Sequence, residues 1–418
     1  MSLTAIEMPA GWQRLRFDAI CSKRSEGYQP VQGGTQPYIG LEHIQQRLPT
    51  LESVGTESDV SSGKSKFEPK DVLFGKLRPY LRKAVISGFA GVCSTDILVF
   101  TALENTVPEY LLYLCHSDQF IKHAKATTTG VQHPRTSWPS LAKFRWNVPG
   151  KNEQRQIARV LATVQRAIEQ QQAIIATTRE LKRSLMHKLF TEGLRGEAQK
   201  PTEIGLVPES WEVMRLGEVA ALKSGGTPSR TNEAYWKDGT IPWVKTGEVD
   251  YCVINDTEEK ITQAGLDGSS AKIFLAGTLL MAMYGQGITR GKVGILGVDA
   301  ATNQACVAFF PKPEVRTGFL YQLFAFKYDY IRNLGHGANQ KNLSADILKT
   351  VQIAYPKETG EQDEIVSSLS ALDDKLALAE CKRAHYTDLF KTLLHQLMSA
   401  QIRVNDLELD ALGVPALD

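Results

Sequence analysis

The sequence predicts an α+β chain: two α/β lobes separated by a pair of long antiparallel helices, a coiled coil, with a pseudo-two-fold internal repeat. Two observations carry this. The stretch NEQRQIARVLATVQRAIEQQQAIIATTRELKRSLMHKLF, from Asn152, is polar, free of Gly and Pro, and threaded with Ile and Leu at helical spacing. The stretch GEQDEIVSSLSALDDKLALAECKRAHYTDLFKTLLHQLM, from Gly360, superposes on it without a gap. Glu153 and Gln154 fall on Glu361 and Gln362, and Ile157, Leu161, Leu185 and His187 fall on Ile365, Leu369, Leu393 and His395. Between and before these stretches the apolar runs are short, rich in Val, Ile, Phe and Tyr, and bounded by Gly, Pro, Asn or Ser, as in AVISGFAGVCSTDILVF and KVGILGVDAATNQACVAFF; such punctuation predicts strands.

The order is lobe (1–150), helix (151–196), lobe (197–358), helix (359–405) and tail (406–418). Each lobe opens on a Pro and a Trp, Pro9 and Trp12 in PAGWQRL and Pro208 and Trp211 in PESWEVMRL. TQPYIGLEHI resembles TIPWVKTGEV, and KDVLFGKL resembles AGTLLMAM, so the repeat runs through the lobes as well. One amphipathic helix per lobe is expected, at VPEYLLYLCHSDQFIKHAKA and at TGFLYQLFAFKYDYIRNL.

The second long stretch alternates apolar residues every four and three positions through Ile365, Leu369, Leu372, Leu376, Leu393 and Leu397, and the first offers Ile157, Leu161, Val164 and Ile168. About 39 residues span roughly 58 Å, more than one lobe needs for its own core, so mutual pairing is expected. The second lobe begins where the first helix ends, and only antiparallel pairing avoids a return along the whole rod. Residues 151–199 carry nine Lys and Arg against five Asp and Glu; residues 361–418 carry five against eleven, a contrast suited to helices lying against each other.

The 418 residues carry a net charge of +2, an ordinary globular balance that names no partner. No segment approaches the roughly 20 apolar residues of a membrane span, and the N-terminus lacks a secretory pattern, so a cytoplasmic protein with no membrane association is expected. The six cysteines lack any C-x-x-C pair and read as buried free thiols rather than metal ligands. No Pro-Pro pair exists for the Asn/Asp-Pro-Pro-aromatic signature of an adenine methyltransferase, GQGITRG spaces its glycines wrongly for a dinucleotide loop, and Ser58 stands where a phosphate loop before Gly63 and Lys64 needs glycine. No catalytic residue, cofactor or metal is expected.

The quoted helix starts, LMHKLFTEGLRGE after the first helix, IGLVPESWEV opening the second lobe and KSGGTPSRTNEAYWKDGTIPWVKTGEV together resemble the DNA-specificity subunit of type I restriction-modification systems, across nearly the whole chain. The resemblance implies two target-recognition domains, each reading one half of a bipartite site in double-stranded DNA. It also implies helices that set the half-site spacing and hold two modification (methyltransferase) subunits, with ATP-dependent restriction subunits joining the assembly. The alternative is a two-lobed protein–protein adaptor that does not bind DNA. Salt dependence separates the two, because phosphate contacts make affinity fall steeply with salt.

Readout needs cations on phosphates and fixed donors and acceptors on base edges. In the first lobe SSGKSKF and GKLRPYLRK supply Lys64, Lys66, Lys76, Arg78, Tyr80, Arg82 and Lys83, and TTTGVQHPRTSW supplies Gln132, His133 and Arg135. In the second, KSGGTPSR supplies Lys223, Thr227 and Arg230, MYGQGITRGK supplies Tyr284, Gln286, Arg290 and Lys292, and HGANQKNLS supplies Asn339, Gln340, Lys341 and Asn342. Gly130 and Gly337 suit turns with positive φ, Trp236 and Trp243 read as core, and His187 and His395 read as charge compensation near helix C-termini.

Overall fold

Strand pairing in each lobe closes its beginning onto its end. In the computed structural model, which describes residues 9–285, 288–334 and 343–407, Gln13–Arg16 runs antiparallel to Arg145–Val148, and Trp211–Arg215 to Gln352–Pro356. Contacts divide the chain into two compact units, residues 1–175 with 378–418 and residues 176–377.

The same sheets recur in both. The first lobe orders Cys21–Lys23, Ile97–Ala102, Val72–Gly75 and Ala84–Ile86, all antiparallel; the second orders Ala220–Ser224, Cys306–Pro311, Leu279–Ala282 and Val293–Leu296 likewise, then adds Val253–Ile254 in parallel at the edge. Val72–Gly75 and Leu279–Ala282, the two runs matched in sequence, are buried along their full length, as a strand covered on both faces must be. A second sheet in each lobe is built on a parallel pair, Pro37–Ile39 with Gly91–Cys93 and Ile241–Val244 with Ala300–Thr302. A short 3-10 turn follows the first strand of each pair, at Leu41–His43 and Thr246–Glu248.

Each expected lobe helix is two helices. Pro108–His116 stops at Ser117, whose extended backbone caps the next helix, Asp118–Ala126, its hydroxyl accepting from the Phe120 amide. Thr317–Phe326 and Tyr328–Asn333 part at Lys327. The thiols also depart from expectation, since Cys252 and Cys381 are exposed while the other four are buried.

The long helices are Lys151–Glu192 and Thr359–Met398. Their apolar positions join the lobe cores. In the first unit Ile157, Leu161, Val164 and Ile168 pack in one cluster with Phe390, Leu393 and Leu397 and with Phe17, Tyr110 and Phe120 of the lobe. In the second unit Ile365 and Leu369 join Met186, Leu189 and Phe190 around Trp211 and Phe319, while Leu372 and Leu376 are only half-buried. Charge follows the predicted contrast at Lys182 and Asp373, 2.5 Å apart.

The repeated Glu-Gln at each helix start locks lobe to helix. Trp12 Nε1 donates to Glu153 (3.0 Å) and Trp211 Nε1 to Glu361 (3.2 Å). Gln154 accepts from the Val107 amide and donates to the Asn105 and Pro149 carbonyls; Gln362 accepts from the Arg316 amide and donates to the Glu314 and Pro356 carbonyls. Both glutamine side chains are buried and saturated, and the buried backbone groups they satisfy, the Val107 amide and the Pro149 and Pro356 carbonyls, would otherwise be orphaned. Arg403 adds a two-pronged bond to Glu153 at 2.8 and 2.9 Å.

Candidate nucleic-acid interface

In the first lobe the segment TTTGVQHPR folds into a short prong. The Thr129 and Arg135 backbones exchange hydrogen bonds (2.9 and 3.0 Å), and Gly130 turns the tip at φ +89, a conformation that disfavours a side chain. Val131, Gln132 and His133 at the tip are exposed, Val131 at 99%. Arg135 does not face outward as a free cation. Its guanidinium grips Asp96 through two bonds (2.8 and 3.0 Å), which also holds the Asp96 carboxyl below its usual range, so Arg135 anchors the prong.

The prong rests on the segment Lys76–Lys83. The Arg78 amide donates to the Pro134 carbonyl (2.8 Å) and the Thr136 amide to the Lys76 carbonyl (3.1 Å). Arg78 and Arg82 flank the 3-10 turn Pro79–Leu81, and both lie in the left-handed region, at φ +50 and +52. Arg side chains at such positions persist only where the surroundings dictate them. The Arg78 side chain is exposed and makes no hydrogen bond or ion pair among the described residues, and Tyr80 is 43% exposed. Lys76 is half-buried.

The other first-lobe candidates are committed elsewhere. Lys64 lies on the strand Lys64–Phe67, not in a loop; it is buried, donates to the Ser62 carbonyl and hydroxyl (2.6 and 2.8 Å), and burial lowers its pKa. Lys66 pairs with Glu26 (2.5 Å), Lys83 donates to the Leu41 carbonyl (2.5 Å), and Arg82 donates to the His116 carbonyl (3.1 Å) and to Asp118 (2.6 Å).

The second lobe gathers a different set. The Arg230 guanidinium lies 3.7 Å over the Trp236 ring and 4.9 Å from that of Trp243, and bonds Glu259, whose carboxyl is thereby held below its usual range. Trp243 is core, whereas Trp236 is half-buried and serves as the platform for that guanidinium. Thr227 donates to Gln304, Lys223 is exposed with its ammonium over the Phe310 ring, and Lys292 pairs with Asp250 (2.5 Å). Arg290 is buried and Tyr284 is 39% exposed. Gln286, Asn339, Gln340, Lys341 and Asn342 lie outside the described residues.

His395 meets Asp118 (3.1 Å) and His187 packs on the Phe326 ring, so neither simply compensates a helix end. Sequence reading missed the carboxylates that orient the arginines. Asp96 and Arg135 stand 39 positions apart, as Glu259 and Arg230 stand 29 apart, so no local pattern pairs them.

The family model described as the type I restriction modification DNA specificity domain matches the chain twice, over residues 11–177 and 208–385. The type I restriction enzyme MjaIX specificity subunit of Methanocaldococcus jannaschii is 31% identical over 195 residues, 44% of this chain and 43% of that protein. The MjaVIII specificity subunit of the same organism is 23% identical over 433 residues, covering 96% of this chain and 95% of that one. Among solved structures, a type I restriction-modification S subunit from M. genitalium shares the fold at TM-score 0.65 and 15% identity, covering 95% of this chain and 98% of that one. A chain from a structure of type I R-M complex assembly and conformational transition does so at 0.54 and 20%, covering 94% and 98%. With the matched domain present once in each lobe and together spanning most of the sequence, the chain belongs to the type I restriction-modification DNA specificity family.

Proposed function

We propose that the chain is the sequence-reading, non-catalytic subunit of a type I restriction-modification complex, with residues 1–150 and 197–358 each reading one half of a bipartite target in double-stranded DNA. The regions 151–196 and 359–405 form an antiparallel coiled coil that spaces the half-sites and docks two methyltransferase subunits, and restriction subunits join the same complex. The observation that carries this reading is one fold built twice with dissimilar exposed groups. The same sheets and the same Trp-Glu-Gln anchors support a prong with Gln132 and His133 in one lobe and a tryptophan-backed Arg230 in the other. Asn and Gln suit adenine edges and Arg suits guanine, each worth about 1–3 kcal/mol of discrimination.

In the first lobe Gln132, His133, Arg78 and Lys76 are the contact residues, with Arg135 and Asp96 as their support. In the second, Arg230, Lys223 and Tyr284 take that role. The test is to map methylated adenines after co-expressing the chain with its methyltransferase partner. The expected result is two half-sites with a fixed gap, one of which changes when residues 197–358 are replaced by those of a relative. A single continuous motif, or no methylation attributable to the chain, overturns the reading.

A further inference from the structure

The first unit contains a cavity of about 470 Å³ whose charge the functional reading leaves unused. It is lined by Arg47, Arg82, Lys125, Lys391, His395 and Asp118, against an apolar wall that includes Phe390 and Leu394. Its one lining carboxylate is occupied on both sides, because Asp118 accepts from Arg82 at 2.6 Å and from His395 at 3.1 Å. Lys391 also pairs with Asp388 at 2.9 Å, both largely exposed. Arg47 and Lys125 are exposed, and neither side chain makes a hydrogen bond or ion pair among the described residues. Four permanent cations therefore face two carboxylates, a surplus that favours an anion.

The backbone gives a second, independent indication. Arg47 sits at φ +66 with its amide donating to the Leu81 carbonyl (3.1 Å), and Arg82 sits at φ +52 at the other end of the same contact. Two left-handed arginines at one cavity occupy positions where glycine would be cheaper, and such strain gathers at ligand clamps.

We propose that this cavity is a seat for a phosphoryl group, held by Arg47 and Lys125 with Arg82 and Lys391 behind them. The segment Lys76–Lys83 joins it to the prong, carrying Arg78 beside Pro134 at one end and Arg82 in the cavity at the other. A backbone phosphate seated here would set the register of DNA against the prong without reading sequence. That source rests on the DNA-reading role proposed above; inorganic phosphate or a free nucleotide is the other source of the same chemistry.

Two arms separate them, using the full chain and the double variant R47N/K125Q, in which Asn tolerates the left-handed backbone. Lys122→Gln, on the same helix outside the cavity, is the control. In the first arm duplex binding is titrated with salt in the presence of the methyltransferase partner. A backbone seat makes the variant's slope of log K against log salt shallower by about 0.9 per phosphate lost, equally for target and non-target duplexes, with the methylated motif unchanged. In the second arm inorganic phosphate and a nucleoside monophosphate are titrated without DNA, and a free-phosphate seat shows saturable binding that the variant loses. Unchanged behaviour in both arms overturns the site. If the wild-type chain fails to bind DNA, the DNA-reading role falls, and the phosphate titration still decides the cavity.

Discussion

The two lobes share a scaffold and differ in how they hold their arginines. In the first, Arg135 is spent on Asp96 as a structural tie, leaving the tip residues Val131, Gln132 and His133 and the neighbouring Arg78 unengaged. In the second, Arg230 is stacked on Trp236 and paired with Glu259 while its side chain stays about half exposed. A planar guanidinium against an indole is held by its stacking partner, whereas the prong tip is held through the backbone bonds between Thr129 and Arg135. The frame is thus common to both lobes and the exposed chemistry is not.

The frame is where disruption should be largest and most alike. Trp12 and Trp211 are 4% and 1% exposed, and Trp→Ala at either site is expected to cost about 3–5 kcal/mol, read as a fall in the unfolding midpoint. Equal losses mean that the two junctions are energetically equivalent; a several-fold disparity breaks the comparison.

A pH contrast comes next. His116 is fully buried, its Nε2 faces the Ala84 carbonyl at 2.9 Å, Nδ1 has no hydrogen-bond partner among the described residues, and burial pulls its pKa down to about 4. The neutral ring carries its proton on Nε2, so a second proton finds no acceptor. The unfolded chain takes that proton near pH 6.5 and the folded one does not. Stability is therefore full above about pH 6.5 and declines as pH falls toward about 4, by about 3 kcal/mol across that window. The second lobe's helix Thr317–Phe326 carries no histidine. Hydrogen exchange at pH 7 and pH 5 should show the first lobe loosening more than the second, and His116→Phe should narrow the gap.

Smaller still are the glutamines. Gln154→Leu orphans the buried Val107 amide and Gln362→Leu the buried Pro356 carbonyl, and each should cost about 1–3 kcal/mol in chemical denaturation. Least is Asp96→Asn. Its partner is 43% exposed, so unfolding should shift by under about 1 kcal/mol, yet the untied prong should blur recognition of one half-site and spare the other. Loss of fidelity at both halves would contradict independent lobes.

The α+β class and the twofold repetition were legible from the gapless match of the helices and the punctuated apolar runs. Periodicity alone could not say what the long helices pack against, because Ile365 or Leu393 facing a partner helix and facing a lobe core give one and the same spacing. The break at Ser117 was hidden since His116 and Asp118 both keep a helical pattern, and only the cap reveals it. The loops were visible as polar and basic, but Lys64, Arg82 and Arg135 were indistinguishable from free cations, because Ser62, the His116 carbonyl and Asp96 meet them only after folding. The Glu-Gln pairs were plain as a repeat, while their saturation of backbone groups near residues 107 and 316 was not.

The core of the first unit includes Phe390, Leu393, Leu397 and Val404, although most of that unit lies before residue 176. The lobe emerging first from the ribosome therefore lacks part of its interior until residues 390–404 have been made. The second unit, one uninterrupted segment from 176 to 377, has everything it needs earlier. Synthesis would then finish the lobes in reverse of their order along the messenger, and during that interval the first lobe's open apolar face depends on chaperones or on the pace of translation for protection from aggregation.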